Sequence, residues 1–397
     1  MRIGKRIFIA VIFSMLTTVS IFAADYSKII LAYYPDWAPK FRSENIPYTK
    51  LTHICHAFIH PTDDGDINYS ATYLEPEMIS TAHSKGVKVL ISVGGASAAS
   101  DRAFKKIAAD PVLRKKFIDK LESFIRINGY DGLDLDWEKP SNNQDKANQP
   151  ILIKEIYEKF HSSPDPAPKW IITMAVNGTN WSGQWVDYDK FIQYVDYINL
   201  MAYDMHGDWE TIAGHNAALK KGGYPDPKND VSDELELDYL ESRGLPDNKI
   251  LMGIPFYGHE VLNASDMYGK CADGKCITTH QLNYNKIVPM IEQGWERKWD
   301  DKCQVPYLVR QSKDAKWNPM EKLVGTISGM KTEKETGVIT YDDPKSIAIK
   351  VKYALLERKL AGVFMWDLTA DFIDGKEPLM DSMRQAYDEA CEQMGKK

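Results

Sequence analysis

Residues 131–138 read DGLDLDWE, and their acids fall on alternate positions at Asp134, Asp136 and Glu138. An extended chain sends successive side chains to opposite faces, so these three carboxylates share one face and Leu133, Leu135 and Trp137 the other. Carboxylates spaced about 6–7 Å along a strand repel one another. The repulsion raises at least one pKa and keeps a proton in the group near neutral pH, which is what a general acid requires. A strand with one solvated face would show the same alternation, so the stretch gains meaning only from what surrounds it. Asp131 has the opposite parity and is expected to cap or brace the strand.

The rest of the chain alternates around this stretch. Apolar runs at 28–34, 51–59, 87–93, 170–176, 197–203, 249–254 and 362–366, with the acidic strand fourth in order, read as eight buried strands. Helical patterns lie between them, among them 73–85, 112–127, 151–160, 188–195, 235–243 and 346–358. Eight such units predict an α/β fold, a closed (β/α)8 TIM barrel with right-handed crossovers. An open doubly wound sheet more often carries a Gly-rich phosphate loop after its first strand, and Tyr33-Tyr34-Pro35-Asp36 is not one. The rhythm breaks between strands seven and eight, where 259–337 is polar, turn-rich and holds three cysteines. This stretch is expected to be a small α+β insertion domain, leaving 25–258 and 338–397 to the barrel.

The first residues read as an address rather than as fold. Arg2, Lys5 and Arg6 precede an apolar run that ends at Ala23-Ala24, the pattern of a signal peptide over 1–24. The expected location is therefore secreted, extracellular or periplasmic, with no membrane attachment after cleavage. The net charge is −7 and no basic stretch carries interleaved aromatics, so no nucleic-acid partner is expected. In an oxidising compartment Cys271 and Cys276 can close a small loop, with Cys303 a rival partner. Cys55 sits in an apolar run and reads as a buried thiol. The nine histidines show no ligand spacing, so no metal or other cofactor is expected. His206 and His215 flank the loop after strand six and are candidates for a groove.

In a barrel of this kind the active site lies at the carboxyl ends of the strands. Those ends supply Tyr33 and Trp37, Phe58, Ser92-Val93-Gly94-Gly95, Asp136 and Glu138, Asn177, Met201 with Tyr203 and Asp204, Tyr257, and Trp366. One acid cluster ringed by aromatics suits a ligand with apolar ring faces and polar edges, as carbohydrates have.

The D-x-x-D-x-D-x-E pattern of Asp131, Asp134, Asp136 and Glu138 resembles the signature of glycoside hydrolase family 18, the chitinases and their relatives. S-V-G-G at 92–95, M-A-Y-D at 201–204, G-I-P-F-Y-G at 253–258, Y-D-D-P-K-S-I at 341–347 and G-V-F-M-W at 362–366 follow in family order. V-P-Y at 305–307 matches a motif of the family's insertion domain, which walls the substrate groove. The resemblance implies a secreted, monomeric chitinase acting on chitin or chito-oligosaccharides. It makes Glu138 the general acid and later the base. Asp136 then assists the substrate's own acetamide, Asp134 supports it from behind, and Tyr203 aims the acetamide oxygen. It also implies substrate contacts from Tyr33, Phe58, Gly95, Trp137, Met201, Asp204, Tyr257 and Trp366. A lectin on the same fold would be expected to lose the acid at 138 or its neighbours. A relative cutting another N-acetylglucosaminide is the remaining alternative.

Overall fold

A computed structural model describes residues 28–35, 37–38, 41–70, 73–162, 170–310 and 336–395. The signal-peptide expectation and part of the insertion lie outside the described residues. Eight parallel strands form the centre: β1 (Ile29–Pro35), β2 (His53–Pro61), β3 (Lys88–Gly94), β4 (Gly132–Asp136), β5 (Ile171–Val176), β6 (Tyr197–Leu200), β7 (Ile250–Pro255) and β8 (Gly362–Trp366). Their spatial order follows the chain order, and pairing of β1 with both β8 and β2 closes the barrel. Closure leaves no open sheet edge in this ring.

Side-chain alternation divides the apolar residues in two. Ile30, Ile54, Val89, Ile91, Leu133 and Leu135 point outward into the large core shared with the surrounding helices. Ile29, Leu31, Tyr33, Cys55, Leu90, Leu251 and Phe364 point inward and fill the barrel. The helices are held by ordinary local chemistry. Asp110 caps Pro111–Asn128 by accepting from Val112 N and Leu113 N, and Gly129 ends that helix in the left-handed region at φ 77°. Asp131 braces β4 from below. It accepts from Val89 N at 2.8 Å, Lys88 Nζ at 2.9 Å and His83 Nε2 at 2.7 Å.

A second, five-stranded antiparallel sheet lies between β7 and β8 in sequence, consistent with an insertion domain. Its strands are Tyr257–Val261, Thr278–Asn283, Trp295–Asp300, Val305–Arg310 and Val338–Thr340, with the helix Tyr284–Glu292. Cys271 and Cys276 are joined by a disulfide, and Cys55 and Cys303 are buried free thiols. Two strand ends differ from the sequence expectation. β4 stops at Asp136 and β6 at Leu200, so Glu138 and Tyr203 sit just beyond their strands.

Candidate active site

The site is built in layers up the barrel axis. Register places Ser92, Asp134 and Thr173 side by side on β3, β4 and β5. Asp134 is fully buried and takes four hydrogen bonds from four other strands. Tyr33 Oη and Ser92 Oγ donate to its Oδ2 at 2.9 and 2.6 Å, and Thr173 Oγ1 and Asn199 Nδ2 donate to its Oδ1 at 2.6 and 3.0 Å. Burial raises the Asp134 carboxyl above its usual value, and those donors oppose the rise. Asp134 is thus a fixed support and does not line the cleft above it.

Asp136 is one layer higher. It is 4% exposed and its Oδ1 has no hydrogen-bond partner among the described residues. Burial first, then the charges of Glu138 and Asp134, push its carboxyl well above the usual range. Glu138 is raised to about 7, by burial first and then by the charge of Asp204. Both carboxyls are thus raised, and the two interact, so the pair holds protons as a unit. The sequence reading expected Asp136 and Glu138 to raise one another, and the two do interact; Asp204 adds a charge that the sequence reading did not weigh. Asp204 is itself held low despite burial, because His259 Nε2 at 3.0 Å and Tyr257 Oη at 2.6 Å contact its Oδ1. The Tyr203 phenol is pushed well above its usual value by burial and by Asp136, so it keeps its proton and can donate.

Above these groups opens a cleft of about 1150 Å³. That is more room than one small ligand needs and suits several linked rings. Tyr33, Phe58, Gly95, Met201, Tyr203, Asp204, Tyr257 and Trp366 all line it with Asp136 and Glu138. Trp366 stacks on Phe58, with centroids 5.7 Å apart and planes at 19°, and Phe58 stacks on Trp37 at 6.0 Å. The S-V-G-G turn is demanded by this crowding. A Cβ on Gly94, at φ 124°, would lie 2.0 Å from the Asp136 carbonyl oxygen, and one on Gly95 would strike the Phe58 ring.

The sequence model of Glycosyl hydrolases family 18 matches residues 29–371. The chain belongs to glycosyl hydrolases family 18. Among family members it is 30% identical over 381 residues to Probable chitinase 2 of Drosophila melanogaster, covering 87% of this chain and 72% of that one. It is 26% identical to Chitinase A1 of Niallia circulans, covering 88% of this chain but only 57% of the other. Among solved structures, an immunomodulatory active chitinase from Trichuris suis superposes with a TM-score of 0.76 at 26% identity, over 90% of this chain and 99% of that one. Human YKL-39, described as a pseudo-chitinase with retained chitooligosaccharide binding, superposes with a TM-score of 0.76 at 25% identity, over 92% and 100%. The family's structures thus include both an active enzyme and a binder without activity.

Three expected groove contacts are not in the cleft of this family 18 chain. Trp137 is 2% exposed and faces the helical core, stacked on Phe104 with its Nε1 donating to Asp101. Continuing the alternation of β4 one residue past its end gives Trp137 the parity opposite to the acids, which directs it outward. His215 is buried under the insertion, with Nε2 3.2 Å from Asp300. His206 is stacked on Tyr224 at 4.1 Å. Conversely, Trp181, Trp209, Gln281, Lys228 and Glu236 line the cleft without having been singled out. Trp181 and Trp209 are 69% and 56% exposed, and the signal for each was an aromatic set among polar residues just after a strand.

Proposed function

We propose that this protein is a secreted chitinase that cleaves β-1,4-linked N-acetylglucosamine chains with retention of the β anomer. The observation that carries this reading is the protonation pattern of the acid group. Glu138, near 7, can hold a proton at the cleft, and the buried Asp136 carboxyl beside it is raised as well and has an unpartnered oxygen. Glu138 donates its proton to the glycosidic oxygen. The 2-acetamido oxygen of the substrate attacks the anomeric carbon, the route by which this family differs from retaining enzymes with a carboxylate nucleophile. As positive charge develops on the acetamide nitrogen, Asp136 accepts its N–H and stabilises that charge. Tyr203 donates to the acetamide oxygen and fixes its approach. Trp366 supplies the apolar floor for the sugar ring. Water activated by Glu138, now a base, then opens the cyclic intermediate.

The second reading is a chito-oligosaccharide binder, as YKL-39 is described. The complete set of Asp136, Glu138 and Tyr203 at one cleft favours the enzyme. The deciding experiment follows the anomers released from N-acetylglucosamine oligomers by NMR, beside a Glu138→Gln variant. The expected result is β-anomer first from the native protein and almost none from the variant. Oligomer binding without release by the native protein would sink the enzyme reading. α-Anomer first would overturn the substrate-assisted route.

A further inference from the structure

Glu236 is a buried acid to which the chemistry above gives no task. It lies in the first turn of the helix Asp233–Ser242, where Ser232 caps the helix by accepting from Leu235 N. Asp233, Glu236, Leu237 and Leu240 are spaced i, i+3, i+4, i+7 and are all buried, so the acid sits on the inward stripe of the helix. Its side chain crosses over Gly178, just beyond the end of β5. A Cβ on Gly178 would lie 2.3 Å from the Glu236 Cβ and 2.9 Å from its Cγ, so only glycine leaves this path open. Glu236 is 4% exposed, lines the cleft, and its buried Oε2 has no hydrogen-bond partner among the described residues.

A buried polar group without a partner is costly, and native folds rarely keep one without a use. The surroundings point to the use. The β5–β6 connection brings Asn177, Asn180 and Trp181 to the cleft, which Asn229, Trp37, Phe58 and Trp366 line as well. Lys139 holds one face of Trp181 by a cation–π contact, and the ring is otherwise open to solvent. An aromatic face beside a recessed hydrogen-bonding group is what a sugar ring needs: stacking for its C–H face and a polar partner for its edge.

We propose that Glu236 is a substrate-positioning residue. It hydrogen-bonds a hydroxyl or acetamide oxygen of an amino-sugar ring held at the β5–β6 connection, beyond the ring at the catalytic acid, with Trp181 beside it. Burial, with the charge of Asp233 second, holds the Glu236 carboxyl well above its usual range, so it approaches such an oxygen as a donor. The inference rests on the chitinase reading of the cleft and extends it along the chain of sugars. A short ligand reaches either the catalytic pair or this connection, while a long one spans both.

The test measures calorimetric binding of the N-acetylglucosamine dimer and hexamer in a Glu138→Gln background, where hydrolysis does not interfere. Adding Glu236→Val, which removes the donor, is expected to lower the ratio of hexamer to dimer affinity about tenfold. Adding Glu236→Gln, which keeps an N–H donor at the same reach, is expected to restore most of that ratio. Equal ratios in all three proteins would overturn the inference and leave the chitinase reading standing. So would an equal loss for both ligands together with a fall in Tm, since that marks a packing role. Failure of the Glu138→Gln parent to bind either oligomer would overturn both readings.

Discussion

Asp136 with Glu138 at the cleft, and Asp233 with Asp342 among the helices, are two pairs of carboxyls taken out of water and kept in opposite ways. Lys350 stands between the second pair, fully buried, 2.8 Å from Asp342 and 3.6 Å from Asp233, and it also donates to the Ala217 carbonyl at 2.7 Å. Ser346 Oγ donates to Asp342 as well, at 2.6 Å. Among the described residues no cation stands between the catalytic pair, although the charge of Lys139 opposes the rise of Glu138. Beneath it Asp134 is met by hydroxyls and an amide, which satisfy lone pairs without adding positive charge. The difference teaches what a buried acid cluster is for. A counter-ion placed among carboxyls ties elements together and opposes the rise that burial imposes, although Asp342 is still raised and Asp233 still reaches about 7. Neutral donors placed under them leave charge repulsion in force, and the group must retain protons that it can lend.

The comparison breaks first at Glu138. Glu138→Gln removes the transferable proton and is expected to lower kcat by about 10²–10⁴-fold, the range of a lost general acid, in a steady-state oligomer assay. The same variant is expected to gain stability, and the sign follows from linkage. The folded pKa is near 7 against an ordinary glutamate value of 4.5, so between those values the native state holds a proton that the unfolded chain has lost. Native stability therefore falls as pH rises through that window. Gln does not ionise, so the Tm of Glu138→Gln should match the native protein near pH 4 and exceed it at pH 8. A variant less stable than native at pH 8 would show that the Glu138 charge is compensated after all.

The other cluster should respond the opposite way. Lys350→Met leaves two buried carboxyls without their cation and is expected to cost about 3–5 kcal/mol in urea unfolding at pH 7. Because Lys350 touches no cleft residue named above, kcat per folded molecule should be unchanged. Retained stability would mean that Asp233 and Asp342 absorb the loss by taking up protons, and that the two clusters differ less than their geometry implies.

Much of this arrangement was legible in the sequence because period-two alternation is a strong constraint. It placed Asp134, Asp136 and Glu138 on one line and sent the other parity outward, and Trp137 obeyed that rule rather than the family resemblance. The layer that holds Asp134 was not legible. Tyr33, Ser92, Thr173 and Asn199 come from four strands, and their meeting depends on barrel register, which no local pattern specifies. Lys350 and Glu236 were hidden for a related reason. Each is a charged residue on the buried stripe of a helix, and a stripe that includes acids or lysines reads as a broken apolar pattern unless its partner is known. Loop residues such as Asp204 had a position in the sequence but no electrostatic role, since His259 and Tyr257 approach it from 55 and 53 residues away.

Asp204 offers the finest test of the contrast, because it acts on the catalytic acid by charge without touching Lys350 or its partners. It is the second cause, after burial, of the raised Glu138 pKa. Asp204→Asn removes that charge and keeps the shape, so Glu138 should lose its proton more easily. The alkaline limb of kcat/KM, which reports the acid that must stay protonated, should therefore move to lower pH, by less than about one unit. The interaction crosses a solvated cleft, so raising ionic strength should shrink the same shift in the native protein. Tyr257→Phe supplies the control. It deletes the hydrogen bond at 2.6 Å to Asp204 Oδ1 but leaves the carboxylate ionised through His259. Its limb should stay where the native limb is. If Tyr257→Phe moved the limb as far as Asp204→Asn, the effect on Glu138 would belong to the hydrogen-bond chain rather than to charge, and the catalytic group would resemble the cross-linked cluster at Lys350 more closely than its neutral donors imply.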